Sequence, residues 1–464
     1  MRPSFALTPL LVALTLCPAT ASGQPAPRPA GPGAPPAIDA ATRRAVIDSA
    51  AAALAREYVD ADTGRLIADH LRRRLRDGAY NAITEPTAFA LAVSTDLKAI
   101  NGDEHLYLSW GGSTPGAGRV PVMVPAGAAP PGSGPVPMPM PSGGPAGGAP
   151  MAMMRPAERL INHGLRKVEI LPGNIGYLLV DEFAGGDGVA DAIAGALRFL
   201  ERTDAIIIDV RTNRGGRGDM SHLLFSHFLP ATPVPTVRVR DRLRNENVVF
   251  TSDSVVPGPR RPDVPLYVLT SRNTVSAAEE FAFVLRRLGR ATLVGDRTIG
   301  AGHMNAISPI GNGFTLSVSF ARVSDPVTGA EWERVGVQPT LVAPPAMALD
   351  VAQAHALRTI AARSDDPMRA AQLRQQAEVL DARAAGRTAS AAALAVAPGR
   401  YTGGRLVEAV GGVLWYTGLN GQRTELIALP EEWFALGDQR MRFEGDRIVV
   451  KRPDGSTYAF ERMR

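Results

Sequence analysis

The chain has 464 residues and a formal charge of +5. That length allows two or three domains with sizeable cores, and beyond the first residues no run of about 20 apolar residues exists that could span a membrane. Lysine occurs only as Lys98, Lys167 and Lys451, the rest of the positive charge being arginine interleaved with acid. No basic run with interleaved aromatics exists, so nucleic-acid binding is not expected.

Residues 1–21 read as an export signal: Arg2 supplies the positive start, Phe5 to Leu16 the apolar segment, and Ala19-Thr20-Ala21 the small residues for cleavage. A periplasmic or extracellular address follows. Cys17, the only cysteine, would leave with the signal, so the mature chain could form no disulfide, thiol nucleophile or cysteine metal site. A Pro/Ala/Gly linker occupies 22–38. Over 39–110 three helical patterns (40–59, 62–76, and one opening at Pro86) run into a turn at Asn101-Gly102 and an alternating strand ending at Trp110. The stretch 111–157 is rich in Pro, Gly and Met, with no apolar period, and is expected to be a flexible insertion. Its methionines lack the histidines or cysteines that usually complete a soft-metal site.

From 158 to 347 strand patterns alternate with helical ones, which predicts an α/β core with a largely parallel sheet and functional loops at the strands' carboxyl ends. Asp204 to Val210 is a buried strand running into Gly215-Gly216, and Leu266 to Leu269 is another that gives way to a helix at Ser276. A helical linker follows over 348–397. Residues 398–464 read as a small antiparallel β domain, with hairpin signals at Asn420-Gly421 and Asp454-Gly455.

Ser276 sits at a helix N-terminus, where free N–H groups and the dipole stabilise an oxyanion. The plainer reading is that Ser276 and Glu279 form an S-x-x-E capping box. A serine nucleophile needs a base, and no lysine lies between Lys167 and Lys451. Of seven histidines, His105 and His303 stand out because each sits in a loop flanked by glycine or acid. Glu104, Glu331 and Glu333 are candidates for the acid that holds the imidazole. The residues alone leave these choices open.

Six segments in order resemble the S41 serine peptidases: Asp103-Glu-His-Leu106, Val168 to Tyr177, Asp209-Val-Arg-Thr-Asn-Arg-Gly-Gly216, Leu269 to Glu279, Ala291 to Gly300, and Trp332 to Pro339. The resemblance covers about residues 40 to 345. It implies a crotonase/ClpP-like ββα core between an N-terminal helical bundle and a small C-terminal all-β domain. Where the processing-protease branch carries a lysine base, this chain has Gly300-Ala301-Gly302, and no PDZ domain is apparent. Both features resemble the tricorn-core and interphotoreceptor-retinoid-binding-protein branch, which uses serine, histidine and glutamate. Carried over by position, Ser276 is the nucleophile, His105 the general base, and Glu333 the relay acid. Glu104 stands where that branch has an orienting serine. Gly215, Gly216 and Ala277 would form the oxyanion hole, and His303 a wall or substrate contact. The implied activity is hydrolysis of peptides or unfolded proteins through an acyl-enzyme, with no metal or cofactor. The retinoid-binding relative implies the alternative of a non-catalytic binder of apolar ligands or peptides. The sequence carries no signature of a particular assembly state.

Overall fold

The structure is a computed structural model that describes residues 36–111 and 161–464. The expected export signal over 1–21, nearly all of the linker over 22–38 and nearly all of the insertion over 111–157 lie outside the described residues.

Three helices open the described chain, each with an acidic N-cap: α1 (Ala40–Glu57) on Asp39, α2 (Ala61–Arg76) on Asp60 and α3 (Pro86–Lys98) on Glu85. These carboxylates accept the orphan N–H groups of the first turns, which stabilises each start by about 1 kcal/mol. Ile47, Leu54, Ile67, Phe89 and Val93 point inward and bury against β1 (Tyr107–Trp110) and the apolar face of the strand over Phe314–Ser324. That contact docks the helical layer on the rest of the molecule.

The next elements are β2 (Leu165–Leu171), β3 (Ile175–Val180), α4 (Val189–Phe199), β4 (Ala205–Asp209), α5 (Gly218–Ser226), β5 (Pro235–Asp241) and β6 (Glu246–Thr251). Then come β7 (Leu266–Thr270), α6 (Ala277–Arg287), β8 (Thr292–Gly295), β9 (Met304–Gly311), β10 (Phe314–Ser324) and β11 (Leu341–Val342). One sheet has the order β11-β8-β7-β4-β3-β2, parallel except for β2. Its side chains alternate between faces, as a strand requires. Ile206, Ile208, Leu266 and Val268 bury against α4, α5 and α6. Ile207, Tyr267 and Leu269 bury against α7 (Ala348–Ala362) and α8 (Pro367–Ala384). Burial on both faces explains the continuous apolar runs, each such side chain contributing about 1.5–3 kcal/mol.

A second sheet has the order β1-β10-β5-β6, with β9 on the other edge of β10. Its β5–β6 hairpin was not anticipated from the sequence. After α9 (Ala391–Val396), two further antiparallel sheets close the chain. The first holds β12 (Gly399–Tyr401), β13 (Arg405–Val410), β14 (Val413–Thr417) and β15 (Arg423–Glu425). The second holds β16 (Ile427–Ala428), β17 (Trp433–Leu436), β18 (Gln439–Glu444), β19 (Arg447–Lys451) and β20 (Thr457–Glu461). Asn420-Gly421 turns β14 into β15 and Asp454-Gly455 turns β19 into β20.

Candidate active site

The loops that leave β4, β7 and β8 emerge side by side, because those strands are neighbours in the parallel sheet. Hydrogen bonds tie the first two loops together. Ser271 Oγ donates to Arg211 O at 2.6 Å, Thr274 Oγ1 to Val210 O at 2.9 Å, and Val275 N–H to Asn213 O at 3.0 Å. The β7 loop ends at Ser276, whose φ of 56° and ψ of −120° lie outside the comfortable range of an L-residue. Such a conformation costs on the order of 1–3 kcal/mol and persists only when its surroundings enforce it.

Glu279 is the enforcing group. Its buried carboxylate accepts Ser276 N–H at 2.9 Å, Gly300 N–H at 2.7 Å, Ala301 N–H at 2.8 Å and Thr298 Oγ1–H at 2.5 Å. Burial pushes its pKa up while these four donors oppose the rise. The glutamate half of the capping box therefore exists, and it also fastens the turn after β8 to the start of α6.

The glycine turn lies against the serine. A Cβ on Gly215 would fall 2.9 Å from Ser276 Cβ, and one on Gly216 would fall 2.3 Å from Phe183 O. With φ of +97° and +125°, both positions require glycine. Asn213, fully buried, holds the turn by donating Nδ2–H to Val180 O at 3.0 Å and accepting Gly215 N–H at 2.8 Å. Gly215 thus spends its donor on Asn213, which removes it from the expected oxyanion set and leaves it the role of making room. Among the described residues the N–H groups of Gly216 and Ala277 have no backbone partner.

Two imidazoles reach the same place from β1 and β9. A cleft of about 1250 Å³ is lined by Ser276, Ala277, Gly215, Gly216, His105, His303 and Glu104, among others. Between the imidazoles lies Asp103. Its Oδ1 accepts the backbone N–H of His105, not its ring, at 2.9 Å, and its Oδ2 accepts Tyr58 O–H at 2.8 Å and faces His303 Nδ1 at 3.0 Å. Burial works to raise its pKa, yet the His303 hydrogen bond and the two imidazoles hold it well below the usual carboxylate range.

His105 and His303 shift in opposite directions. Burial pulls the His105 pKa down, only partly offset by Asp103, and its Nδ1 is buried without a hydrogen-bond partner. His303 also feels burial, but the Asp103 hydrogen bond and the charges of Glu333 and Asp103 raise it. The carboxylate–imidazole pair visible here is therefore Asp103–His303, not a pair on His105.

The two expected acids take different places. Glu333 lies behind the cleft wall, its Oε2 accepting Gly302 N–H at 2.7 Å and His303 N–H at 3.0 Å and standing 3.7 Å from His303 Nδ1. Its Oε1 is buried without a partner, and burial with the neighbouring Asp103 charge pushes its pKa up to about 7. Glu104 lines the cleft but pairs with Lys98 at 2.6 Å.

Asp103, His303 and Glu333 bring one ligand atom each within 4.8 Å of one another, a grouping of the size a cation needs. Hydrogen bonds occupy Asp103 Oδ2 and Glu333 Oε2 in this group, while Glu333 Oε1 is left without a partner. Asp103 and Asn213 were the residues whose roles sequence reasoning missed. Asp103 carried an accessible signal, since an Asp two residues before a loop residue commonly accepts its N–H.

Residues 174–343 match the description Peptidase family S41. Over 171 residues the chain is 26% identical to the carboxy-terminal processing protease CtpB of Bacillus subtilis, covering 36% of this chain and 34% of that protein. Over 158 residues it is 30% identical to the carboxyl-terminal-processing protease of Synechocystis sp., covering 33% of this chain and 35% of that protein. The solved photosystem II D1 C-terminal processing protease is similar at 23% identity and a TM-score of 0.31, over 38% of this chain and 45% of that one. The chain spans about a third of the length of these curated relatives.

Proposed function

We propose that this chain, which carries a peptidase family S41 domain over residues 174–343, is a serine peptidase that cuts peptides or unfolded proteins through an acyl-enzyme on Ser276. The observation that carries this reading is the cleft in which Ser276, at a strained helix start, shares a wall with His105 and the Gly215-Gly216 turn.

Ser276 Oγ attacks the peptide carbonyl while His105 accepts its proton. The lowered pKa supports this role, because a base must be neutral at working pH. The tetrahedral oxyanion is met by the N–H groups of Gly216 and Ala277. His105 then protonates the leaving amine, and water, activated by the same imidazole, releases the acid. Glu333 reaches the site through the Asp103–His303 pair rather than through the His105 ring, whose Nδ1 no acid meets, and Glu104 holds Lys98 at the cleft wall.

A second reading has its own observation. His303, with Asp103 on its Nδ1 at 3.0 Å, has the carboxylate-oriented imidazole of a catalytic base. Hydrolysis of casein by the chain beginning at Ser22 separates the two. Ser276→Ala and His105→Ala are expected to lose about a thousandfold or more in rate, and His303→Ala far less. The reverse order of the two histidines would favour the second reading, and wild type no faster than Ser276→Ala would sink both. Export is read from Arg2 to Ala21, and a secreted chain that does not begin at Ser22 would count against that cleavage site.

A further inference from the structure

The cleft is acidic although the chain is basic. Formal charge over the whole chain is +5, yet among the described residues five carboxylates line the cleft, including Glu104, Asp181 and Glu280, against only Lys98 and Arg214 as cations. Glu104 is neutralised by Lys98 at 2.6 Å, and Asp181 by Arg166 at 3.0 Å.

Glu280 is different. Its N–H donates to Ser276 O at 3.0 Å, closing the first turn of α6, so its side chain follows the nucleophile on one helix face. It is half-buried, and a Cβ on Gly218 would come within 3.8 Å of its Oε2, so backbone of α5 forms the wall beside it. Much of the remaining lining is apolar: Val237, Val239, Phe250, Val323 and Trp332. Burial pushes the Glu280 pKa up to about 7, with His222 working against the rise. A carboxylate so placed is costly to keep ionised without a cation.

We propose that Glu280 is a specificity residue that receives a cationic side chain, lysine or arginine, from the substrate residue supplying the scissile carbonyl. The assignment rests on the peptidase reading above, because that reading places the scissile carbonyl at Ser276. A guanidinium or ammonium supplies the partner that the wall lacks. A leucine in the same place would leave the carboxylate unpaired, so discrimination comes from the mismatch as much as from the match.

The test uses internally quenched peptides that differ only at the residue before the cut (Arg, Lys, Gln or Leu), with the full chain, Glu280→Gln and Glu280→Asp. The expected result is kcat/KM at least about tenfold higher for Arg and Lys than for Leu. That ratio should collapse in Glu280→Gln and partly return in Glu280→Asp. Arg and Lys cut no faster than Leu, or a preference that survives Glu280→Gln, would overturn the proposal. Binding of the uncut peptides to Ser276→Ala, followed by fluorescence anisotropy, separates this from failure of the peptidase reading. An Arg preference in binding that depends on Glu280, without hydrolysis by wild type, would keep the cation site and remove the peptidase. Absence of that preference in both binding and hydrolysis would remove the cation site.

Discussion

At the scale of single residues the proposed chemistry turns on which imidazole is neutral when substrate binds. Burial holds His105 below the ordinary imidazole value, whereas Asp103 and Glu333 raise His303 above it. If His105 is the base, the acid limb of kcat/KM should fall at a pH below about 6.5. A limb above that value would assign the base to His303. Glu333 makes a second prediction. Its folded pKa of about 7 lies above the carboxyl's unfolded value, so folding favours the protonated form. The stability it contributes is present in acid and is lost as pH rises towards 7. Glu333→Gln keeps an acceptor for the two N–H groups and removes the titration. Its Tm should therefore decline less than that of wild type between about pH 5 and 7, and parallel Tm curves would contradict the assignment. The choice between the two histidines was not legible in the sequence. Residues 105 and 303 meet only because β1 and β9 flank β10, and no local pattern announces that pairing.

At the scale of elements Ser276 and the glycine turn are held by two clamps, Glu279 and Asn213. Glu279→Ala would strand the backbone N–H groups of Ser276, Gly300 and Ala301 and the Thr298 hydroxyl. A loss on the order of 3 kcal/mol is expected in chemical denaturation, and a loss under 0.5 kcal/mol would show that the clamp is dispensable. Gly216→Ala must move Phe183 O or the turn, because its Cβ has no room. It should lower kcat more than it raises KM, since the oxyanion donors act chiefly in the transition state. A pure KM effect would contradict that role. This neighbourhood was legible in advance. Gly215-Gly216 and Ser276 each follow a buried apolar strand, and adjacent parallel strands deliver their loops to one edge. The β5–β6 hairpin was not legible, because its charged residues (Arg238, Arg240, Asp241, Glu246) mask the apolar side that Val237, Val239 and Phe250 turn to the cleft.

At the scale of the molecule the cleft is assembled from two layers that are distant in sequence. The helical layer contributes His105, with Asp103 and Tyr58 hydrogen-bonded outside the lining, and the parallel-sheet core contributes Ser276 and the glycine turn. No cleft-lining residue lies beyond Trp332. A chain ending at Ala389 should therefore keep casein hydrolysis within about threefold of the full chain, if the exposed Ala382 surface is tolerated. Loss of activity with an unchanged melting transition would assign the β-rich end a part in substrate handling. The C-terminal hairpins were legible through Asn420-Gly421 and Asp454-Gly455. Their division into two sheets was not, since it depends on β15 and β16 belonging to different ladders on either side of Leu426.

The most direct test of the central claim is covalent labelling. The chain is incubated with a fluorophosphonate, which reacts with an activated serine, and the modified peptide is located by mass spectrometry. Stoichiometric phosphonylation of Ser276 that is lost on heat unfolding and greatly slowed in His105→Ala is the predicted result. Intact chain unlabelled at Ser276, or labelled equally fast after unfolding, would contradict an activated nucleophile there.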